Sequence, residues 1–533
     1  MAREVRIIVQ GTGQMSLLLS QMLRCTELGA TVWLGVEKLY LDTSRCSFKG
    51  LRKKDQKGGK KCLDGLNELL SAALPSLHEI AFLGPGADKL YHSIPIQQLI
   101  NERLCGPQPL RVLRIASDIH PDLMSHLSQS SLPIQLTCLD INTIIIDGDG
   151  APLRLPPLLA GTLVELRLSS VYVKWVWEPF LAPSEGDLVF SSLKSLTLSF
   201  SLGREIQQRR PHAVKFAMDS EDEDWWEDED DDYHGFSSLN PEPETGTPGY
   251  MASKKYGMPR FPVLTSLEIR RFPRDLKWFM TLFESSPIST LSLWALKHRI
   301  PEDLDLTQFG ELRDLSVCFL DSINHFEEER ISGTLSYMFR TASPQLQSLT
   351  LMFYTYDEFW LEFSKPSFAD SLATLTVEGH NDLDNCLALL PMFTNLQRLN
   401  IYASVTEPMP AASLVRECKY HIVQQSPPPL STTLRCVRAE LLQRWAEEAR
   451  WAITTRMPRN AAEEVTLYRY FILNLVCRVP SLKALMVSPA SLEGVQKIIN
   501  MLTKPGVGPE HMSDIQCKAI PVVDEFYLDL DRN

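Results

Sequence analysis

The sequence lacks the thiol clusters that would mark a zinc site or a disulfide framework. Its 11 cysteines stand singly, there is no CxxC, and the two nearest, Cys46 and Cys62, are 16 residues apart. Structural zinc needs ligands at short spacing, so no metal is expected. None of the 11 histidines makes an HxxxH or HExxH pair, and no GxSxG or P-loop run occurs, which removes the commonest hydrolase and nucleotide-hydrolysis signatures. No stretch approaches the roughly 18 uninterrupted apolar residues of a membrane span. Met1 to Gln10 lacks the charged-then-apolar-then-small order of a secretory signal. Together these absences lead us to expect reduced thiols in the cytoplasm or nucleus, with no membrane partner.

A broad basic field is also missing. The net charge is −13, but 11 acidic residues and no basic ones fall between Asp219 and Asp232, leaving −2 for the remainder. A near-neutral body gives nucleic acid little to bind. One basic stretch, Lys49 to Lys61, contains Gly58-Gly59 and reads as a solvated loop, with a nuclear-import signal or an anion patch as the alternatives.

What is abundant is a recurring triplet, apolar-x-x-apolar-x-apolar. It begins at Val36-Leu39-Leu41, Leu77-Ile80-Phe82, Leu110-Leu113-Ile115, Leu136-Leu139-Ile141, Leu163-Leu166-Leu168 and Leu193-Leu196-Leu198. It resumes at Leu264-Leu267-Ile269, Ile288-Leu291-Leu293, Leu312-Leu315-Val317, Leu346-Leu349-Leu351, Leu372-Leu375-Val377 and Leu396-Leu399-Ile401, and returns at Leu482-Leu485-Val487. Seven of the twelve intervals are 24 to 30 residues, near the period of leucine-rich repeats. The last two positions of a triplet share one face of a short strand, and the first enters the same core from the preceding turn. One such unit cannot bury its face alone, so stacked copies must bury each other. The expected fold is α/β: an irregular leucine-rich-repeat solenoid with a parallel sheet on the concave face and helices on the convex face.

Segments between triplets show helical spacing. Leu276, Phe279, Met280 and Phe283 follow one strand, and Leu492, Val495, Ile498, Ile499 and Leu502 follow another, with Ser491 as N-cap. The asparagine or cysteine that regular repeats place three residues after the strand is absent; Val171, Ser201, Phe272 and Leu296 stand there instead.

The expected organisation is an N-terminal cap over 1–32, a first array over 33–201 and a disordered acidic insertion over 202–260. A second array over 261–404, a Pro-rich linker with a helical insertion over 405–480, and a last repeat with C-terminal cap over 481–533 complete it. The insertion carries Trp225-Trp226 and Ser220 within its acids, a composition that cannot bury enough surface to offset ordering entropy. In 405–480, Pro427-Pro428-Pro429 reads as a stiff linker, and Arg438 to Arg456 and Glu464 to Val476 read as helices. Val522, Val523, Phe526 and Leu528 are available for a last strand.

Strand-like Val5 to Val9 precedes Gly11-Thr12-Gly13-Gln14-Met15-Ser16, an approach to the dinucleotide fingerprint GxGxxG. An NAD(P)-binding oxidoreductase is therefore the alternative reading. Ser16 stands where the third glycine belongs, and the triplet pattern takes over beyond Val36. The preferred reading is an N-terminal cap, no enzyme and no cofactor. Asp147-Gly148-Asp149-Gly150 lacks the further ligands of a calcium loop and reads as a tight turn.

The runs Phe190 to Leu198 (FSSLKSLTL), Phe261 to Ile269 (FPVLTSLEI) and Phe393 to Ile401 (FTNLQRLNI) resemble the divergent leucine-rich repeats of fungal F-box proteins. The resemblance is one of pattern and covers about residues 33 to 503. It implies a substrate-recognition subunit whose F-box recruits a ubiquitin-ligase scaffold while the repeats hold a protein partner. The chain departs from the family at its start, where Met15 to Leu28 offers one helix in place of the family's small helix bundle.

In such an array the residue between the last two apolar positions points out of the sheet. Those residues are Arg114, Asp140, Arg167, Thr197, Glu268, Ser292, Ser316, Thr350, Thr376, Asn400 and Met486. This polar ladder, with charge toward the N-terminal half, is the expected partner-binding surface and suits a protein better than a phosphate backbone.

Overall fold

The computed structural model describes residues 3–8, 35–42, 76–83, 100, 104, 109–115, 135–142, 155–171, 188–200, 259–272, 280, 283–295, 304–323, 325–355, 365–380, 389–404, 418, 422–423, 425, 427–441, 471–487, 489 and 492–520. The chain divides into two compact units, Met1–Ile288 and Ser289–Asn533.

In the first unit the described strands are β1 (Glu4–Ile8), β2 (Lys38–Asp42), β3 (Glu79–Leu83), β4 (Val112–Ile115), β5 (Cys138–Asn142), β6 (Glu165–Val171), β7 (Ser195–Phe200) and β8 (Ser266–Phe272). Each of β1 to β7 pairs in parallel with the strand that follows it. The register aligns Leu39, Ile80, Leu113, Leu139, Leu166, Leu196 and Leu267 in one row. The second unit repeats the arrangement with β9 (Thr290–Ala295), β10 (Asp314–Ile323), β11 (Ser348–Thr355), β12 (Thr374–His380), β13 (Arg398–Ser404), β14 (Cys436–Leu441), β15 (Ala484–Val487) and β16 (Gln516–Ala519). Its row runs Leu291, Leu315, Leu349, Leu375, Leu399, Val437, Leu485 and Cys517. Both units are solenoid-like parallel sheets, built coil by coil.

Every residue of the thirteen triplets is buried, none more than 3% exposed. Their spacing dictates this. Two strand positions face one side of the sheet, and the turn position closes the core from below. A second apolar seam lies just before several of the triplets. Phe190 stacks on Phe261 at 5.3 Å, and Phe261 on Phe283 at 5.5 Å. In the second unit Phe339 meets Phe368 edge-on at 5.5 Å, and Phe368 stacks on Phe393 at 6.4 Å.

Where regular repeats use an asparagine ladder, this chain uses hydroxyls. Ser192 donates to the Gly161 carbonyl at 2.8 Å, Ser371 to Leu346 at 2.8 Å, Thr433 to Leu396 at 3.0 Å and Ser481 to Leu434 at 2.8 Å. Thr137 and Thr265 do the same to Arg111 and Lys194, two residues further along their coils. The four bonds before the triplets give a turn carbonyl of the preceding coil a partner, whereas the Arg111 and Lys194 carbonyls also accept backbone N–H groups of the next strand.

Helices are fewer than strands among the described residues: α1 (Pro157–Ala160), α2 (His325–Thr341) and α3 (Leu492–Leu502). α3 buries Val495, Ile498, Ile499 and Leu502 as its spacing requires. Its exit is tight. A Cβ on Gly508 would meet the Leu502 carbonyl oxygen at 2.5 Å, so only glycine fits there. Of the segment Leu276 to Phe283, Met280 and Phe283 are described and buried; Leu276, Phe279 and Ser491 lie outside the described residues.

Several elements differ from expectation. The helix expected from Arg438 begins instead as strand β14, with Leu434, Val437 and Ala439 fully buried. Alanine in the third place hid this triplet, and pairing with β13 and β15 outweighs the helical preference of the segment. Residues 442–470 lie outside the described set. Of the segment Glu464 to Val476, Phe471–Leu475 is a π-helical turn, followed by the 3-10 turn Val476–Arg478. The last described strand is β16, not the stretch at Val522 to Leu528, which lies outside the described residues. α2 was not anticipated, although Ile331, Leu335, Met338 and Phe339 fall on one helical face and are buried. The acidic run, Ser220, Trp225, Trp226 and the basic loop 49–61 also lie outside the described residues. Among the described residues no helix is long and apolar enough to cross a membrane.

Candidate functional site

The face of each sheet opposite the leucine core carries the ladder. Pairing in the first unit sets Arg114 beside Asp140, Asp140 beside Arg167, Arg167 beside Thr197, and Thr197 beside Glu268. In the second unit Ser292, Ser316, Thr350, Thr376 and Asn400 form an unbroken row. Asn400 then meets Arg438, Arg438 meets Met486, and Met486 meets Lys518. The sequence reading missed Arg438 and Lys518 because it missed β14 and β16. It also missed the earlier end of the first row, Arg6, Tyr40 and Ala81.

The two rows differ in chemistry. In the first unit the ladder is woven into ion pairs, along the row itself and with residues two positions away on the same strand or on a strand nearby. Arg114 lies 4.0 Å from Asp140 and 3.7 Å from Glu165. Arg167 Nε donates to Glu165 Oε1 at 2.8 Å. Thr197 donates to Glu268 Oε2 at 3.2 Å, and Arg270 Nε holds the other oxygen at 2.8 Å. Toward β1, Glu79 accepts from the Tyr40 hydroxyl at 2.9 Å and lies 3.5 Å from Lys38 Nζ. Burial, then the bond to Glu79, pushes the Tyr40 hydroxyl up to about 12. Cys138, crowded under Arg114 and Glu165, is likewise pushed up to about 12 by burial and stays a thiol.

Asp140 stands between Arg114 and Arg167 in the row. Burial raises its carboxyl above the ordinary range; Arg167 and Arg114 oppose the rise, and Glu165 adds to it. A carboxyl raised in the folded state binds its proton more readily there than in the unfolded chain. Its ionised form therefore weakens the fold at neutral pH, and the penalty disappears below the ordinary carboxylate value of about 3.9. Asp140→Asn is expected to melt higher than the parent at pH 7, with the gap closing as the pH falls below about 4. Paired thermal melts across that range check this; a lower melting point at pH 7 would show the ion pair to outweigh the burial.

From Ser292 to Asn400 the second unit's row carries no charge, and Arg438 and Lys518 follow beyond it. Trp294 Nε1 donates to Ser292 Oγ at 2.8 Å, Asn400 to Thr376 Oγ1 at 3.0 Å, and Thr290 to Asp314 at 3.3 Å. Cys318 Sγ lies 3.0 Å from Met352 Sδ, one strand position above Ser316 and Thr350. An open polar depression of about 620 Å³ borders this unit's strand starts, lined in part by Asn395, Gln397, Arg435, Ser481 and Lys483. Lys483 is already held by Asp514 at 2.7 Å.

Among the described residues no group of three His, Cys, Asp or Glu side chains is gathered as a metal site. Gly11, Gly13 and Ser16 of the dinucleotide-like segment lie outside the described residues. The strand before them, β1, pairs with β2, and the first unit's strand order runs from β1 to β8 without reversal, so no topological switch point of the nucleotide-binding kind occurs among these strands. No protein-family model matches the chain, and no curated protein matches it either.

Proposed function

We propose that the protein is a non-enzymatic interaction scaffold of the leucine-rich-repeat type, which binds a protein partner across the ladder face of its sheets. The observation that carries this reading is the register. It gathers side chains from distant parts of the sequence, such as Arg114, Arg167 and Glu268, into one continuous polar row. Each row is backed by a buried core that holds its spacing at strand separation, about 4.8 Å. A rigid row of that kind reads an extended or folded protein surface, and the acids Asp140 and Glu268 within it disfavour a polyanion along its length. Within this reading the finer role is substrate recognition for a ubiquitin ligase in the cytoplasm or nucleus, resting on the F-box-type repeat pattern of runs such as Phe190 to Leu198.

The test is quantitative affinity purification from cells with three versions: full-length protein, Arg114→Glu/Arg167→Glu/Thr376→Arg, and a version lacking residues 1–35. A partner of the ladder is expected to fall at least tenfold with the face variant, compared below its melting transition, which should come earlier because Arg114 and Arg167 pair with Asp140 and Glu165. Loss of a ligase scaffold from the truncated version alone supports the adaptor role. Partners indifferent to the face substitutions would overturn the ladder as the binding surface.

A further inference from the structure

Beyond the ladder, the second unit holds two buried thiols in contact. Cys418 Sγ and Cys477 Sγ are 3.7 Å apart, from residues 59 apart in sequence. Cys418 is fully buried and Cys477 only 4% exposed. Free cysteines in cores ordinarily behave as isolated small hydrophobes, as Cys138 does. Two that converge across 59 residues are a different arrangement.

The turn that carries Cys477 is fixed from three sides. The Val476 carbonyl oxygen lies 3.1 Å from His511 Nε2. The Arg478 guanidinium donates to the Pro428 carbonyl at 3.1 Å, and the Arg478 carbonyl accepts from the Leu430 N–H at 2.9 Å. The Cys477 side chain is therefore held against Cys418 by bonds on both sides of its own backbone. The chain between the two cysteines includes the Pro427-Pro428-Pro429 run and all of β14.

We infer that Cys418 and Cys477 form a reversible disulfide site, closed by a small hydroperoxide and reopened by thiol reductants. The Cys418 thiolate attacks the peroxide, one oxygen joins the sulfur as a sulfenic acid, and the other leaves as hydroxide, which takes up a proton as water. The Cys477 thiol then attacks that sulfur, the S–S bond forms, and the sulfenic oxygen leaves as a second water. The two sulfurs lose two electrons in all, and the peroxide gains them. The division of labour fits the surroundings: the bond with Cys477 lowers the Cys418 thiol below the ordinary cysteine value, while the same bond and burial raise Cys477. Burial raises the other half-exposed thiols of this unit, Cys436 and Cys517. Enclosure selects a small, uncharged oxidant over bulky disulfide reagents. The closed bond would tie the ends of the loop that carries β14, and with it Arg438 of the ladder row.

The test uses the full-length protein treated with hydrogen peroxide, digested without reduction and mapped by mass spectrometry. The expected product is one peptide pair joined through Cys418 and Cys477, lighter by two hydrogen atoms and separated again by dithiothreitol. Its yield should exceed that of any other cysteine pair by at least tenfold, and the oxidised protein should melt several degrees higher. Cys477→Ala should remove the melting shift and leave Cys418 to run on to sulfinic acid. Mapping on the parent protein needs no variant to fold. Peroxide that leaves both thiols unchanged, or that joins either one to a different cysteine, would overturn the assignment.

Discussion

Leu196→Asp is expected to unfold the first unit's sheet around β7. Leu196 is 1% exposed and sits in register between Leu166 and Leu267. Losing the leucine removes about 1.5–3 kcal/mol of burial. The carboxylate adds several more, because the row beneath the sheet offers it only leucine and isoleucine neighbours. A total of about 5 kcal/mol or more rivals the whole stability of an ordinary domain, about 5–15 kcal/mol. In a stacked array each coil leans on its neighbours, so the damage spreads to β6 and β8. Circular dichroism melts should show a large early transition absent from the parent. An unchanged melt would mean that the triplet does not form the core. By contrast, Thr197→Asn, one residue along on the ladder face, should leave most of the structure standing, because the amide can still donate to Glu268 Oε2 as the Thr197 hydroxyl does.

Phe368→Ala should cost the second unit about 3–5 kcal/mol, the usual range for a phenylalanine removed from a packed core. Phe368 is fully buried, with Phe339 edge-on at 5.5 Å and Phe393 stacked at 6.4 Å. Deleting it leaves both neighbours facing a void between the loops that enter β12 and β13. Phe368→Leu keeps most of the volume and should cost less than about 1.5 kcal/mol. Urea denaturation of the two variants separates a packing role from a merely surface-covering one. If the alanine and leucine variants unfold at the same urea concentration as the parent, the aromatic seam contributes nothing.

How far these features could be read from the residues depended on their type. The triplets were legible because burial imposes a rigid spacing and because leucine or isoleucine fills almost every place. β14 was not, since Ala439 looks too small to be a core position and the charged Arg438 and Glu440 flank it. What makes β14 a strand is the pair of strands beside it, and no local window contains them. β16 is an edge strand whose Cys517 and Ala519 bury little; its place is set by Leu485 and Val487 across the pairing. The ladder residues followed at once from the alternation, and their adjacency was implied by stacking. The partners that engage them, such as Glu165 for Arg114, are set by side-chain reach over the sheet and carry no spacing signal. The thiol contact was invisible for the same reason: Cys418 and Cys477 lie 59 residues apart and belong to no triplet, so no spacing announces their approach.

Among the described residues, the hydroxyl bonds to backbone carbonyls between coils point one way. Ser192, Ser371, Thr433 and Ser481 each reach back to a carbonyl of the coil before them, as do Thr137 and Thr265. The sheet thus has a polarity in how these coils are finished: each is sealed by its successor. During synthesis on the ribosome, each emerging coil finds its acceptor already waiting upstream, so assembly can advance in the order of translation. A chain cut short after any coil would leave that coil's carbonyls bare, whereas trimming from the opposite terminus would strand only a hydroxyl that water readily accommodates.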